Sequence, residues 1–246
     1  MNRNDLLHVL QMLYSQRRVS RTGLAERTGF APSYISALVA ELRRRNLVEE
    51  GEHSPSRAGR RRIMLHVVPE LAYLAGIRVG RANTRIVVTD FLGKVLLLRK
   101  TPTEIWKGER HVLELVEGEL GTVLEHDHSI KGIGIAISGV IDRESGTVLF
   151  WPKVPGWNDV RLKQMVENKC GLPVVVENSI RTMALAEEKF GEANGRRNFV
   201  YVAVSMGIGI PFLPGPHVPP LRKKPESDRV TARRGGGRLG RGHPGR

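Results

Sequence analysis

Three valines, Val174 to Val176, lead into Glu177-Asn178-Ser179, and a segment of helical character follows. A buried strand ending in polar groups lies where α/β proteins place ligands, in the crevice beyond the carboxyl ends of the strands. The run GIGIAI ends in the same way, in Ser138-Gly139, which should reach the same cleft. Asn and Ser are also good helix caps. Asn178 and Ser179 therefore carry two readings, ligand contact and capping of a helix that begins at residue 180. A serine hydroxyl is not basic near neutral pH, so Ser179 supplies no general base. A second set of residues is cationic: Arg57, Arg60, Arg61 and Arg62 crowd the stretch HSPSRAGRRR. Such a cluster can neutralise phosphate or enter a minor groove.

The elements that must position these groups fall into three stretches of different charge. Residues 1–70 hold 12 Arg against 7 acidic groups, residues 71–211 hold 18 basic against 16 acidic, and residues 212–246 hold 9 basic against 2 acidic. The middle is a near-neutral globular stretch. The basic ends point to a polyanionic partner. The absence of lysine from residues 1–70 reads as a GC-rich genome rather than as function. The single cysteine, Cys170, allows no disulfide within the chain and no thiolate zinc cluster. It reads as inert packing. No run of 18 apolar residues and no signal pattern is found, so a cytoplasmic protein without a membrane partner is expected.

In the first stretch, Leu6, Leu10 and Leu13 recur at helical spacing, with Leu7 and Tyr14 widening the face, which predicts a helix over residues 4–16. Ser20 can cap a second helix over 21–28, and Gly29 is a stop signal. Pro32 suits the first turn of a third helix over 32–46, whose buried stripe is Ile35, Leu38, Val39 and Leu42. Two short helices joined by a Gly-containing turn make a helix-turn-helix. LVEEG, the Arg-rich loop and IMLHV then read as strand, loop and strand, a wing. The fold expected for residues 1–70 is a winged helix-turn-helix. Its second helix of the pair would enter the major groove of double-stranded DNA. The candidate contacts are Ser20, Thr22, Pro32, Ser33, Tyr34, Ser36 and Ala37, with Arg57, Arg60, Arg61 and Arg62 on the wing. Hydroxyls can bond phosphates or bases, and Ala37 can touch a thymine methyl. A dimerisation module is the alternative, with Arg43-Arg44-Arg45 complementing a helix dipole.

From residue 71 the pattern is a meander of three strands (71–80, 84–89, 95–99) with turns at 81–83 and 91–94. A helix over 111–124 follows. After it come the strand ending in Ser138-Gly139, extended structure at 148–150, a helix over 162–170, the strand at 173–176, a helix over 180–190 and a strand over 199–205. This is the order of an α/β actin-like, ribonuclease H-like nucleotide-binding domain. The stretches GIGIAISGVIDRESGTVL, PGW at 155–157, LPVVVENS, ALAEEKFGEA and VAVSMGIGI, taken together over about residues 5–210, resemble the ROK family of repressors, open reading frames and sugar kinases. The N-terminal helices and Arg-rich wing resemble its repressor branch, the regulators of xylose and N-acetylglucosamine genes.

The resemblance implies a sugar site, and it allows chemistry to be checked residue by residue. ROK kinases carry Asp-x-Gly-Gly-Thr in the first turn, where the carboxylate works with Mg²⁺. Here the stretch is Arg78-Val79-Gly80-Arg81-Ala82. An arginine holds no metal ion, and bulky side chains are expected to fill the phosphate space, leaving only a turn. The kinases place a catalytic Asp after Glu-Asn, and here it is Ser179. No kinase activity is expected. Asn178, Ser179, Ser138 and Gly139 remain candidates for a sugar effector. Lys153 stands where sugar-binding members often carry Asn. The implied function is a DNA-binding regulator, read as a repressor of carbohydrate-utilisation genes, of a kind that commonly acts as a homo-oligomer. A sugar kinase and a non-functional remnant are the alternatives.

Residues 211–246 hold 7 Pro and 7 Gly without apolar periodicity and are expected to be disordered. The glycine loop, the zinc motif and the remaining second lobe implied by the resemblance are absent. His217 and His243 lack cysteine partners, so no cofactor is expected. A frameshift near residue 210 is the reading that follows, with a genuine basic nucleic-acid-binding tail as the alternative. An incomplete second lobe implies exposed strand edges, poor solubility and an impaired sugar response.

Overall fold

The computed structural model describes residues 2–53, 62–126, 129–194, 196, 198–204 and 208–213. Two hydrophobic cores form, one from residues 6–67 and one from residues 75–176.

The first core is closed by three helices and a small sheet. Helix α1 (Arg3–Gln16) is followed by strand β1 (Val19–Ser20), helix α2 (Arg21–Thr28), helix α3 (Pro32–Arg44), and strands β2 (Val48–His53) and β3 (Ile63–Val67). The three strands pair in the order β1-β3-β2, antiparallel throughout. Helix α1 buries Leu6, Val9 and Leu13, whereas Leu7 is exposed. Val9, one position before the expected Leu10, takes the central place because 6, 9 and 13 lie on one side of a 3.6-residue turn. Ser20 caps α2, its Oγ accepting from the Gly23 N–H at 3.1 Å. Gly29 ends α2 at φ 72°, a left-handed conformation that a side chain would disfavour. Helix α3 begins at Pro32 and buries the four residues expected of it. It stops at Arg44, two residues short of the sequence reading, as the backbone turns to positive φ at Asn46.

The second core is built on a five-stranded sheet. Strands β4 (Tyr73–Val79), β5 (Asn83–Thr89) and β6 (Val95–Pro102) form the antiparallel meander, and helix α4 (Glu109–His126) packs on β4 and β5. Strand β7 (Ile130–Ile137) runs parallel to β4. A hairpin layer follows from β8 (Val140–Asp142), β9 (Thr147–Phe150) and β10 (Asn158–Val160), then helix α5 (Leu162–Cys170), strand β11 (Val174–Asn178) and helix α6 (Ser179–Phe190). Strand β11 runs parallel to β7, giving the sheet order β11-β7-β4-β5-β6. Parallel pairing needs a crossover, and α4 supplies the one from β6 to β7 and α5 the one into β11. Edge strand β6 exposes Val95, Leu96 and Leu98.

Two expectations differ from the fold. The strand expected over residues 199–205 is, among the described residues 199–204, two short strands outside the five-stranded sheet. Strands β12 (Phe199–Val200) and β13 (Ala203–Val204) instead find local partners, β15 (Phe212–Leu213) and β14 (Ile208–Gly209) respectively. Phe212 and Leu213 fall in the segment expected to be disordered, and pairing with β12 orders them. The rest of that tail, with His217 and His243, lies outside the described residues. No helix among the described residues is long and apolar enough to cross a membrane.

The two cores touch. Phe91 and Leu92, in the turn between β5 and β6, pack against the first core. The Tyr14 and Phe91 rings lie 5.0 Å apart, and Arg17 Nη1 donates to the Leu92 carbonyl at 2.8 Å. The end of α6 joins this contact: Lys189 Nζ sits 3.8 Å from the Tyr14 ring centroid and the Arg17 guanidinium 5.7 Å from that of Phe190. Gly93, at φ 90°, lies so close to Phe190 that a Cβ there would meet the ring at 2.8 Å.

Candidate functional site

The ends of β4, β7 and β11 open onto one cleft of about 740 Å³. Strand β4 brings Arg78, the turn after it Arg81 and strand β5 Arg85, and the bend after β7 brings Ser138 and Gly139. The loop before β10 brings Trp151 and Lys153, and the start of α6 brings Ser179, Ile180 and Met183. Hydrogen bonds hold the first turn, Gly80 N–H to the Asn83 carbonyl at 3.2 Å and Thr103 N–H to the Ala82 carbonyl at 3.1 Å. A Cβ on Gly80 would stand 2.7 Å from that Asn83 oxygen. Arg78 and Arg81, the bulky side chains expected in the phosphate space, line this cleft. Arg78 does so because β4 alternates. Ile77 and Val79 enter the core, which leaves Arg78 on the opposite face.

The four effector candidates come together, in different roles. Ser138 Oγ and Ser179 Oγ are 3.3 Å apart. Ser179 is 2% exposed and begins α6. Asn178 is the N-cap: its Oδ1 accepts from Ile180 N–H at 2.9 Å and Arg181 N–H at 3.4 Å, and its Nδ2 donates to the Gly139 carbonyl at 3.0 Å. The side-chain amide is thus occupied by protein, and Asn178 does not line the cleft. Of the two readings open in the sequence, its geometry is that of a cap and a brace between β11 and the bend after β7. Glu177 is likewise engaged, accepting from Arg143 Nε at 2.9 Å and Arg181 Nε at 3.0 Å.

No Asp or Glu is found among the described residues that line the cleft, and no group of metal-ligating side chains is found among the described residues. The Mg²⁺–nucleotide chemistry of a sugar kinase needs a carboxylate near the phosphates. A turn carrying Arg78 and Arg81 does not fit that group. The Arg78 Nε is buried without a hydrogen-bond partner. Cys170 lies half-buried at the far end of α5, and burial pushes its thiol pKa up, which makes it a poor nucleophile.

On the smaller unit, Thr22, Pro32, Ser33, Ser36 and Ala37 are exposed. Ser36 Oγ donates to the Pro32 carbonyl at 2.9 Å. Two candidates are already committed to the fold. Ser20 is 7% exposed and caps α2. Tyr34 faces α1, where its hydroxyl donates to Asp5 Oδ2 at 2.7 Å, a bond that raises its pKa. Arg62 is exposed, and Arg57, Arg60 and Arg61 lie outside the described residues. The arginines at the end of α3 are paired. Arg44 and Arg45 grip Glu41 at 2.7 and 2.6 Å and hold its carboxyl down at about 2. Arg43 shares Glu50 with Arg21.

Comparison with known proteins agrees with this architecture. The sequence profile described as ROK family matches residues 74–218. The chain belongs to the ROK family. It is 30% identical over 210 residues to the xylose repressor of Caldicellulosiruptor bescii, covering 84% of this chain and 52% of that protein. It is 32% identical over 137 residues to the glucokinase of Streptomyces coelicolor, covering 54% of this chain and 41% of that one. A solved ROK family transcriptional regulator, a homolog of the Escherichia coli MLC protein, superimposes with a TM-score of 0.70 at 24% identity, over 87% of this chain and 56% of that chain. The chain spans about half the length of the curated relatives it matches. The larger unit carries the actin-like fold of ROK sugar kinases and repressors. The match to the xylose repressor, at 84% of the chain, reaches beyond the 54% matched to the glucokinase.

Proposed function

We propose that this chain is a sequence-specific DNA-binding transcriptional regulator, a repressor of carbohydrate-utilisation genes, whose kinase-like unit senses a ligand without phosphorylating it. The observation that carries the reading is the cleft lined by Ser138, Ser179 and Arg78 with no carboxylate among its described residues, on a chain similar to a xylose repressor. Without a carboxylate to take the proton from a sugar hydroxyl, transfer loses its base. What remains is a binding site.

Residues 2–67 serve as a winged helix-turn-helix head. Helix α3 is the reading helix, offering Ser33, Ser36 and Ala37 from its first turns, and the β2–β3 hairpin is the wing. Tyr34 and Ser20 support the head rather than touch DNA. The ligand state of the cleft reaches the head through α6. That helix starts at the cleft, at Ser179, and ends against Tyr14 of α1 and Arg17 just beyond it. Its 12 residues span roughly 18 Å at the α-helical rise. A shift at its first turn is a shift at its last, because a helix transmits displacement as a rigid element. A symmetric oligomer on a two-fold operator is the expected assembly.

Fluorescence anisotropy with labelled duplex DNA from the neighbourhood of the gene tests this, alongside Ala37→Glu. Ala37 is exposed, so the variant should keep the wild-type melting temperature. A carboxylate against phosphate should lower DNA affinity by roughly tenfold or more. Unchanged affinity in Ala37→Glu would remove α3 as the reading element.

A further inference from the structure

We infer that Lys189 is an acylation site, and that its reaction with an acyl phosphate loosens the joint between the head and the kinase-like unit. Lys189 lies in the last turn of α6. Its Nζ sits 3.8 Å from the centroid of the Tyr14 ring on α1. A second cation, the Arg17 guanidinium, stands 5.7 Å from the centroid of the neighbouring Phe190 ring. No carboxylate reaches Lys189 at salt-bridge distance among the described residues. Lys107 and Lys169 differ, since Glu104 and Glu117 hold them. Asp90, the acid at the turn between β5 and β6, is buried and accepts from the Leu92 and Lys94 amides. Lys189 is therefore a partly buried ammonium set against an aromatic face with a like charge nearby. Burial, and then Arg17, lower its pKa, while Glu188 beside it on α6 pulls the other way.

The neutral amine is the nucleophile of acyl transfer. Its lone pair attacks the acyl carbon, a C–N bond forms, the C–O bond to phosphate breaks and the nitrogen releases a proton. Inorganic phosphate is the leaving group, and the acyl phosphate is the sole co-reactant. The amide that results carries no charge, so the attraction of Nζ to the Tyr14 ring is lost. What then holds α6 near α1 is Arg17 over Phe190. The chemistry depends only on the joint. Its regulatory meaning rests on reading α6 as the link between cleft and head, because a weaker contact of α6 with α1 transmits less.

The full chain is incubated with acetyl phosphate near neutral pH, and acetylation of each lysine is followed in time by peptide mass spectrometry. Lys189 should react several-fold faster than Lys100 and Lys131, which are exposed. In urea that unfolds the chain the joint is gone, and the three rates should become equal. Lys189 reacting no faster than the exposed lysines in the folded chain would overturn the inference, and so would a preference that survives in urea. Loosening is read from hydrogen exchange of the Arg17 N–H, which donates to the Leu13 carbonyl at 3.0 Å at the end of α1. Lys189→Gln, neutral like the amide, should exchange there roughly threefold faster than wild type, the factor expected of one part-exposed cation–π contact. Lys189→Arg keeps the charge and should stay close to wild type. Equal exchange in all three proteins would show that the charge does not hold the joint, which overturns the loosening. None of these readouts contains DNA or a cleft ligand, so their failure and the failure of the regulator reading are told apart.

Discussion

Replacing Asn178 separates a capping residue from a ligand-binding one. In Asn178→Ala the α6 cap is lost, since Oδ1 no longer accepts from Ile180 and Arg181, and so is the Nδ2 bond to the Gly139 carbonyl. Loss of an N-cap costs about 1 kcal/mol, and a net internal hydrogen bond contributes about 1 kcal/mol more. The expected destabilisation is therefore ~2 kcal/mol, which lowers Tm by ~4–8 °C in a chain of this size. Asn178→Ser keeps a cap and loses only the brace, so its Tm should fall by ~2–4 °C. Differential scanning calorimetry measures both. The ordering alanine below serine below wild type is the signature of a cap. A Tm in Asn178→Ala within about 1 °C of wild type, with ligand affinity lost, would refute the assignment and return Asn178 to the ligand.

Two further predictions follow from ion pairs and ring contacts. Arg44 and Arg45 hold the Glu41 carboxyl at about 2, below its ordinary 4.5. A folded pKa depressed in this way contributes stability above pH 4.5 that is lost as pH falls toward 2. Glu41→Gln should accordingly lose Tm near neutral pH and converge with wild type in acid, whereas parallel Tm curves across that window would discount the pairs. Phe190→Ala removes the contact of α6 with Arg17 and Gly93. DNA affinity without ligand should stay within about threefold of wild type while the ligand-induced change shrinks. An undiminished ligand effect in anisotropy would show that coupling bypasses α6.

Much of this was legible because local signals agreed with tertiary demand. Ile35, Leu38, Val39 and Leu42 define one helical stripe, and all four are buried. Ser20 and Gly29 mark the ends of α2 through side-chain chemistry that needs no distant partner. The sequence also marked both strand ends that form the cleft. What it left unresolved depended on partners far along the chain. Whether Asn178 caps or binds turned on the Gly139 carbonyl, 39 residues away. Tyr34 reads as a groove residue by its place at the start of α3, and its hydroxyl bonds Asp5, 29 residues earlier. The same holds for residues 199–204, whose β pattern is satisfied by local partners rather than by the sheet. Arg78 reads in the sequence only as a lost carboxylate. Its place opposite Arg85 follows from the β4–β5 register, which pairs Val79 with Thr84 across the turn.

The regulator assignment is tested most directly by selection of bound fragments. The purified chain is mixed with sheared genomic DNA at physiological salt, and retained fragments are sequenced. A winged head read through α3 predicts enrichment of a small set of sites that share a motif and lie upstream of sugar-utilisation genes, with the enrichment abolished in Ala37→Glu. Retention of fragments without a shared motif, equal in wild type and Ala37→Glu, would mean that the basic surface binds DNA only through its phosphates and would contradict the assignment.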